Sequence, residues 1–212
     1  MPKNPTRRQL HVVNRFVLFT ILLVFGGIFA VTAGALPEKM RVVKMGGDID
    51  ISEVPDGGTL HTMGGKIHVG KAHNDITLTT MGGSIEVGSA DASVTATTMG
   101  GDIDLILAKG QSAGSHDIVL DSKGGAISLT VPRNYPMTIQ VVLAYTKNSA
   151  GNYKITEDLG LEQSSSKDWD QLHGTPRKYL YARGRTGNGQ NHVTIKTING
   201  NVTIKEKEAP LL

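Results

Sequence analysis

Four times, at residues 45, 63, 81 and 99, the chain spells Met-Gly-Gly, and the interval is 18 residues each time. A period this regular confines the chain to folds built by repeating one small unit along an axis. The segments read MGGDIDISEVPDGGTLHT, MGGKIHVGKAHNDITLTT, MGGSIEVGSADASVTATT and, with a six-residue insertion, MGGDIDLILAKGQSAGSHDIVLDS. A fifth copy begins Lys123-Gly124-Gly125-Ala126-Ile127-Ser128-Leu129, and after a long excursion a sixth runs from Val193 through Asn199-Gly200 to Ile204.

With the residue before each glycine pair as position 1, positions 5 and 7 are apolar around a polar position 6: Ile49/Ile51, Ile67/Val69, Ile85/Val87, Ile103/Leu105, Ile127/Leu129 and Val202/Ile204. Alternation with period two predicts a β-strand. A second alternation falls at positions 14 and 16 (Ile76/Leu78, Val94/Ala96, Ile118/Leu120, Val193/Ile195), and position 10 is Val54, Ala72, Ala90 or Ala108 at the other bend. Each unit has one apolar face per strand and nothing of its own to cover it, so the faces are buried only if the units wind into coils and stack. The expected fold is therefore all-β, a single-stranded parallel β-solenoid of about six coils. Like positions then stack about 4.8 Å apart, giving a rod about 30 Å long. Its interior is an aliphatic ladder, each large side chain contributing about 1.5 to 3 kcal/mol on burial. The glycine pairs are expected to supply either a positive φ or a close backbone approach, with Asn199-Gly200 tolerating the same conformation.

Composition divides the chain at its N-terminus. All four phenylalanines fall in the first 30 residues, as a thin solenoid interior would require, and residues 1–35 hold Lys3, Arg7, Arg8 and Arg15 without an acid. Residues 16–33 are uncharged and apolar, and Ala33-Gly34-Ala35 places small residues before Leu36, which is the plan of a secretory signal peptide. An 18-residue apolar run is also long enough for an uncleaved membrane anchor, a hydrophobic helix with its basic end in the cytoplasm. Arg7-Arg8 loosely matches a twin-arginine signal, although paired arginines also serve as plain positive charge. The domains are thus 1–35, signal peptide or anchor, and 36–212, the solenoid with a lateral or capping excursion at 144–191. Either way the body is exported, to the periplasm, the cell surface or the outer side of a membrane. Without the leader's four charges, 18 bases stand against 19 acids, which excludes an electrostatic footprint for nucleic acid. The absence of cysteine excludes disulfides, thiolate metal sites and cysteine nucleophiles.

A leader followed by Gly-Gly or Asn-Gly, then x-[IV]-x-[IVL] strands at near-regular spacing over about residues 40–205, resembles a group of bacterial envelope proteins described as an adhesin-like β-strand repeat family of unknown function. The resemblance implies a parallel β-helical fold outside the cytoplasmic membrane and supplies no catalytic residues. The insertion at 106–117 and the stretch 144–191 depart from its pattern.

Several constellations invite a chemical reading. Outward positions stack Asp50, His68, Glu86, Asp104 and Ser128, and Asp48, Lys66, Ser84, Asp102 and Ala126. Stacked carboxylates suit acid–base hydrolysis or a cation, whereas a solvated ladder with interposed Lys66 and His68 relieves its own repulsion. His61, His68 and His73 cluster, yet their spacings match no compact zinc motif. Thr77-x-Thr79 and Thr95-x-Thr97 form a two-repeat threonine array of the kind some ice-binding solenoids use, and equally ordinary β propensity. No nucleophile elbow, phosphate loop or histidine-glutamate metal motif occurs, so neither enzymatic activity nor a cofactor is expected.

Two surfaces remain. Trp169, in Asp168-Trp169-Asp170, lies in the excursion with Tyr145, Tyr153, Tyr179 and Tyr181, and these aromatics either stack on sugar rings or cap an open solenoid end. Lys178–Arg183 alternates as a strand, and residues 183–191 read as a mobile loop. Met45, Met63, Met81 and Met99 form one column at the glycine corner, either a partly exposed apolar stripe for a partner or for self-association, or a plug folded into the core. The expected function is a non-enzymatic envelope protein presenting a rigid rod to an envelope protein. The alternative is a carbohydrate-binding or carbohydrate-cleaving solenoid using 144–191 with Asp102 or Asp104.

Overall fold

The computed structural model describes residues 38–108, 115–149, 151–171 and 174–207. The leader, with its expected helix and cleavage site, and the centre of the insertion lie outside the described residues. Among the described residues every regular element is a strand.

Positions 5 to 10 of each repeat enter one sheet and positions 14 to 18 the other. The seven-stranded sheet runs, from one edge, β2 (Ile49–Val54), β4 (Ile67–Ala72), β6 (Ile85–Ala90), β8 (Ile103–Leu107), β10 (Ile127–Pro132), β16 (Val202–Lys207) and β12 (Ile155–Glu157). The nine-stranded sheet runs β1 (Met40–Lys44), β3 (Gly58–Thr62), β5 (Ile76–Thr80), β7 (Val94–Thr98), β9 (Asp117–Ser122), β15 (Asn191–Ile198), β11 (Met137–Thr146), β14 (Arg177–Thr186) and β13 (Glu162–Ser165). All pairings are parallel except β11 with β14 and β14 with β13. The 18-residue period sets the register. Ile49, Ile67, Ile85, Ile103, Ile127 and Val202 are successive partners in one sheet, and Leu60, Leu78, Ala96, Leu120 and Ile195 in the other. Their inward faces form one aliphatic core. Alternation of a repeat's strands between two parallel, in-register sheets is what a parallel β-solenoid requires.

The glycine corner is held by backbone proximity. A Cβ on Gly65, Gly83, Gly101, Gly125 or Gly200 would stand 1.9 to 2.1 Å from the carbonyl oxygen of the corresponding glycine one layer away. Of the two expectations for these glycines, close approach holds throughout the stack. Among the glycine pairs that open the repeats a positive φ occurs only at Gly47, and Asn199 has φ 55° where its counterparts in the other repeats do not, so Asn199 marks a different turn and not a shared conformation. The buried hydroxyl at position 18 locks the same corner: Thr80 Oγ1 donates to Gly65 O (2.9 Å) and accepts from Gly83 N–H (3.2 Å), and Thr62, Thr98, Ser122 and Thr197 donate in the same way.

The excursion departs from the sequence reading in two ways. The sixth repeat is not stacked last: β15 lies between β9 and β11, and β16 between β10 and β12, so the chain leaves one layer open and closes it with its C-terminal strands. The loop expected at 183–191 shrinks to the turn at residues 187–190. β14 continues to Thr186 because the ten-residue β11 offers a full antiparallel partner, with Gln140 opposite Arg183, and Asn191 already belongs to β15 and is buried.

Candidate functional site

Met63, Met81 and Met99 each follow a buried threonine by one position, and those threonines, Thr62, Thr80 and Thr98, are successive register partners, with Lys44 before Met45 in the same column. The column therefore rises about 4.8 Å per layer on the outer side of the corner. Exposure is 82% at Met45, 41% at Met63, 44% at Met81 and 55% at Met99. The plug reading requires burial and fails. Beside the column the first glycine is bare in the first two pairs, where an added Cβ would meet nothing within 4 Å at Gly46 or Gly64, and makes only ordinary contacts at Gly82 and Gly100, no nearer than 3.6 Å. The column ends at Lys123, whose ammonium is fixed on both oxygens of Asp121 at 2.9 Å.

The second surface is the aromatic end. Trp169 is half-buried, with Tyr145 edge-on to it at 5.8 Å and the Lys178 ammonium 5.4 Å above its ring, while Tyr153 lies 6.1 Å from Tyr145. Tyr145 and Tyr153 pack against the aliphatic core, with Trp169 beside Tyr145. Tyr179 and Tyr181 sit two apart on β14 and stack at 6.0 Å with 17° between their planes. Tyr181 is 37% exposed and lines an open depression of about 210 Å³ with Gln140, Ser164 and Arg183. Tyr179 donates its hydroxyl to Asp170 (3.0 Å); burial first, and then this bond, push its phenol upward from the ordinary value. Sequence reasoning missed Gln140, Ser164 and Arg183, because only the antiparallel pairing of β14 with both β11 and β13 brings them beside Tyr181.

The charged columns serve the stack. Lys66 binds Glu86 at 2.5 Å, a contact that raises the lysine and lowers the glutamate, with His68 3.6 Å from the same carboxylate. Asp48 accepts the Lys66 N–H and Asp102 the Ala126 N–H, both at 2.7 Å, tying each aspartate to the next layer's backbone. His73 bridges Asp91 at 2.9 Å and Glu53 at 3.1 Å. His61, His68 and His73 do not converge, and among the described residues no group of three or more His, Cys, Asp or Glu is placed to hold a metal. Asp102 and Asp104 belong to the seven-stranded sheet and Asp170 is bridged to Arg177 of the nine-stranded one, so the carboxylates of the cleavage reading stand on different sheets. Thr77 pairs with Thr95 and Thr79 with Thr97; one layer away Thr59 continues the first column and His61 breaks the second.

No protein-family model, curated protein or solved structure matches the chain.

Proposed function

We propose that the chain is a non-enzymatic parallel β-solenoid of about six coils, exported to the cell envelope and related to the adhesin-like repeat proteins, that docks a protein partner along its methionine corner. The observation that carries this reading is that Met45, Met63, Met81 and Met99 are all exposed, from 41% to 82%, in one column beside glycines. Flexible thioether side chains adapt to a partner's apolar surface, and an exposed apolar column on a rigid stack contributes nothing to the fold it stands on. The leader carries the export part of the proposal, either as a cleaved signal or as an anchor.

Capture from envelope extracts with the full chain and with a Met63→Gln/Met81→Gln variant tests it. The melting temperature of the variant should stay within about 2 °C of the parent's, as expected for exposed positions. A protein identified with the parent and then purified should bind the variant at least about tenfold more weakly. Equal binding, or a parent that captures only its own copies, overturns the proposal.

A second reading has its own support: the stacked pair Tyr179–Tyr181, with amide, hydroxyl and guanidinium donors around the depression, is a platform for a sugar ring. A glycan array separates the two, because Tyr181→Ala should abolish sugar binding and Trp169→Ala should instead lower stability.

A further inference from the structure

We propose that the methionine corner also binds a soft monovalent d10 cation, copper(I) or silver(I), between the thioether sulfurs of stacked methionines, with Met63 and Met81 as the central pair. The inference uses the same column as the docking proposal but does not rest on it, since it concerns the sulfur atoms and not the apolar surface.

Three features of the corner support it. The first is spacing. A monovalent copper held linearly by two sulfurs at bonds of about 2.3 Å separates them by about 4.6 Å. Parallel strands place like residues about 4.8 Å apart, so methionines one layer apart stem from backbone at nearly that separation, and their three side-chain torsions let the two thioethers turn toward one ion. Thr62, Thr80 and Thr98, immediately before Met63, Met81 and Met99, are in register, so the backbone under the donors is fixed.

The second is room. Exposures of 41% and 44% leave the central thioethers open to solvent, and the bare glycine beside Met63 keeps that flank clear. The third is selectivity. Outward residues two positions before the methionines are Val43, His61, Thr79 and Thr97, mutual register partners that include no carboxylate. The next partner in that column is Asp121, which is held by the Lys123 ammonium, so around the central pair Met63 and Met81 a hard cation finds no carboxylate in the column. His61, on β3 two residues before Met63, makes no hydrogen bond or ion pair among the described residues, so a borderline nitrogen donor is available in the same layer. Thioether and imidazole are the ligands that favour copper(I). Four methionines in one column accommodate one ion between Met63 and Met81, or two when the pairs are Met45 with Met63 and Met81 with Met99, and each central sulfur is a donor either way.

The test is competition for copper(I) between bathocuproine disulfonate and the full chain in mild detergent without oxygen. The parent should withdraw up to two copper ions per chain. A Met63→Leu/Met81→Leu variant, which keeps the apolar shape and removes the sulfur, should bind at least about tenfold more weakly with its melting temperature within about 2 °C. Capture of a protein partner should survive in this variant, which separates the cation site from the docking surface. A parent that takes no copper from the chelator, or a leucine variant that binds as tightly as the parent, overturns the proposal. Should the variant fail to fold, the parent itself supplies the second arm: conversion of the exposed methionines to sulfoxides must abolish binding and enzymatic reduction must restore it, and binding indifferent to sulfur oxidation is equally fatal.

Discussion

At the scale of single residues, the two glycines of a pair are unequal although the sequence writes them alike. A Cβ on Gly83 would stand 2.0 Å from Gly65 O, whereas one on Gly82 would come no nearer than 3.6 Å to anything. Gly83→Ala should therefore destabilise by about 1 to 3 kcal/mol or more through overpacking against backbone, and Gly82→Ala should be nearly neutral, as denaturant unfolding of the two variants can compare. Thr80→Val removes a hydroxyl that serves two backbone groups and should cost about 1 to 3 kcal/mol, while Thr80→Ser should restore most of it. The inward face of position 18 is legible from the alternation of positions 14 and 16. Its role in binding the neighbouring layer's glycine carbonyl is not, because that partner is 15 residues away and the contact exists only once the layers stack.

Strands and their connections extend the same reasoning. The alternating pairs of the repeat identify β2 to β10 almost entirely, because one strand face is buried and the period of two leaves no other register. The excursion resists such reading. Arg183-Gly184-Arg185-Thr186 has no apolar alternation of its own, and it becomes strand through hydrogen bonding to β11. Three layers are also clamped by charge, with Glu53, His73 and Asp91 bridging β2 and the ends of β4 and β6. The bond to Asp91, and then the nearby charges of Asp91 and Glu53, raise His73 above its ordinary value of 6.5. With the folded value raised, the clamp's contribution is fully present below about pH 6.5 and is lost as pH rises through the folded value. Melting curves between pH 5 and pH 8.5, a range of about three units around that titration, should show a decline in the parent that His73→Gln lacks, and identical profiles would remove the clamp.

For the whole molecule, the decisive feature is that the chain fills the sixth position of each sheet last. β9 and β11 become neighbours of β15, and β10 and β12 of β16, only when residues 191–207 arrive. Every copy of the repeat offers similar edges, so nothing in the local sequence says which copy pairs with which, and the order of layers is invisible before the fold is known. A chain ending at residue 190 should expose four unpaired strand edges and self-associate, measurable as a rise in mass by light scattering, and a monomer as stable as the parent would mean the slot closes without its native strands. The central claim is the parallel, in-register stack that generates the methionine column. Because the chain has no native cysteine, pairs of nitroxide labels introduced in place of Met63 and Met81, Met63 and Met99, or Met45 and Met99 probe that stack without background. Their separations should rise in steps of one layer, about 5, 10 and 14 Å, with dipolar broadening falling in the same order. Weak broadening for the Met63–Met81 pair, or separations that do not grow with the number of intervening repeats, would contradict it.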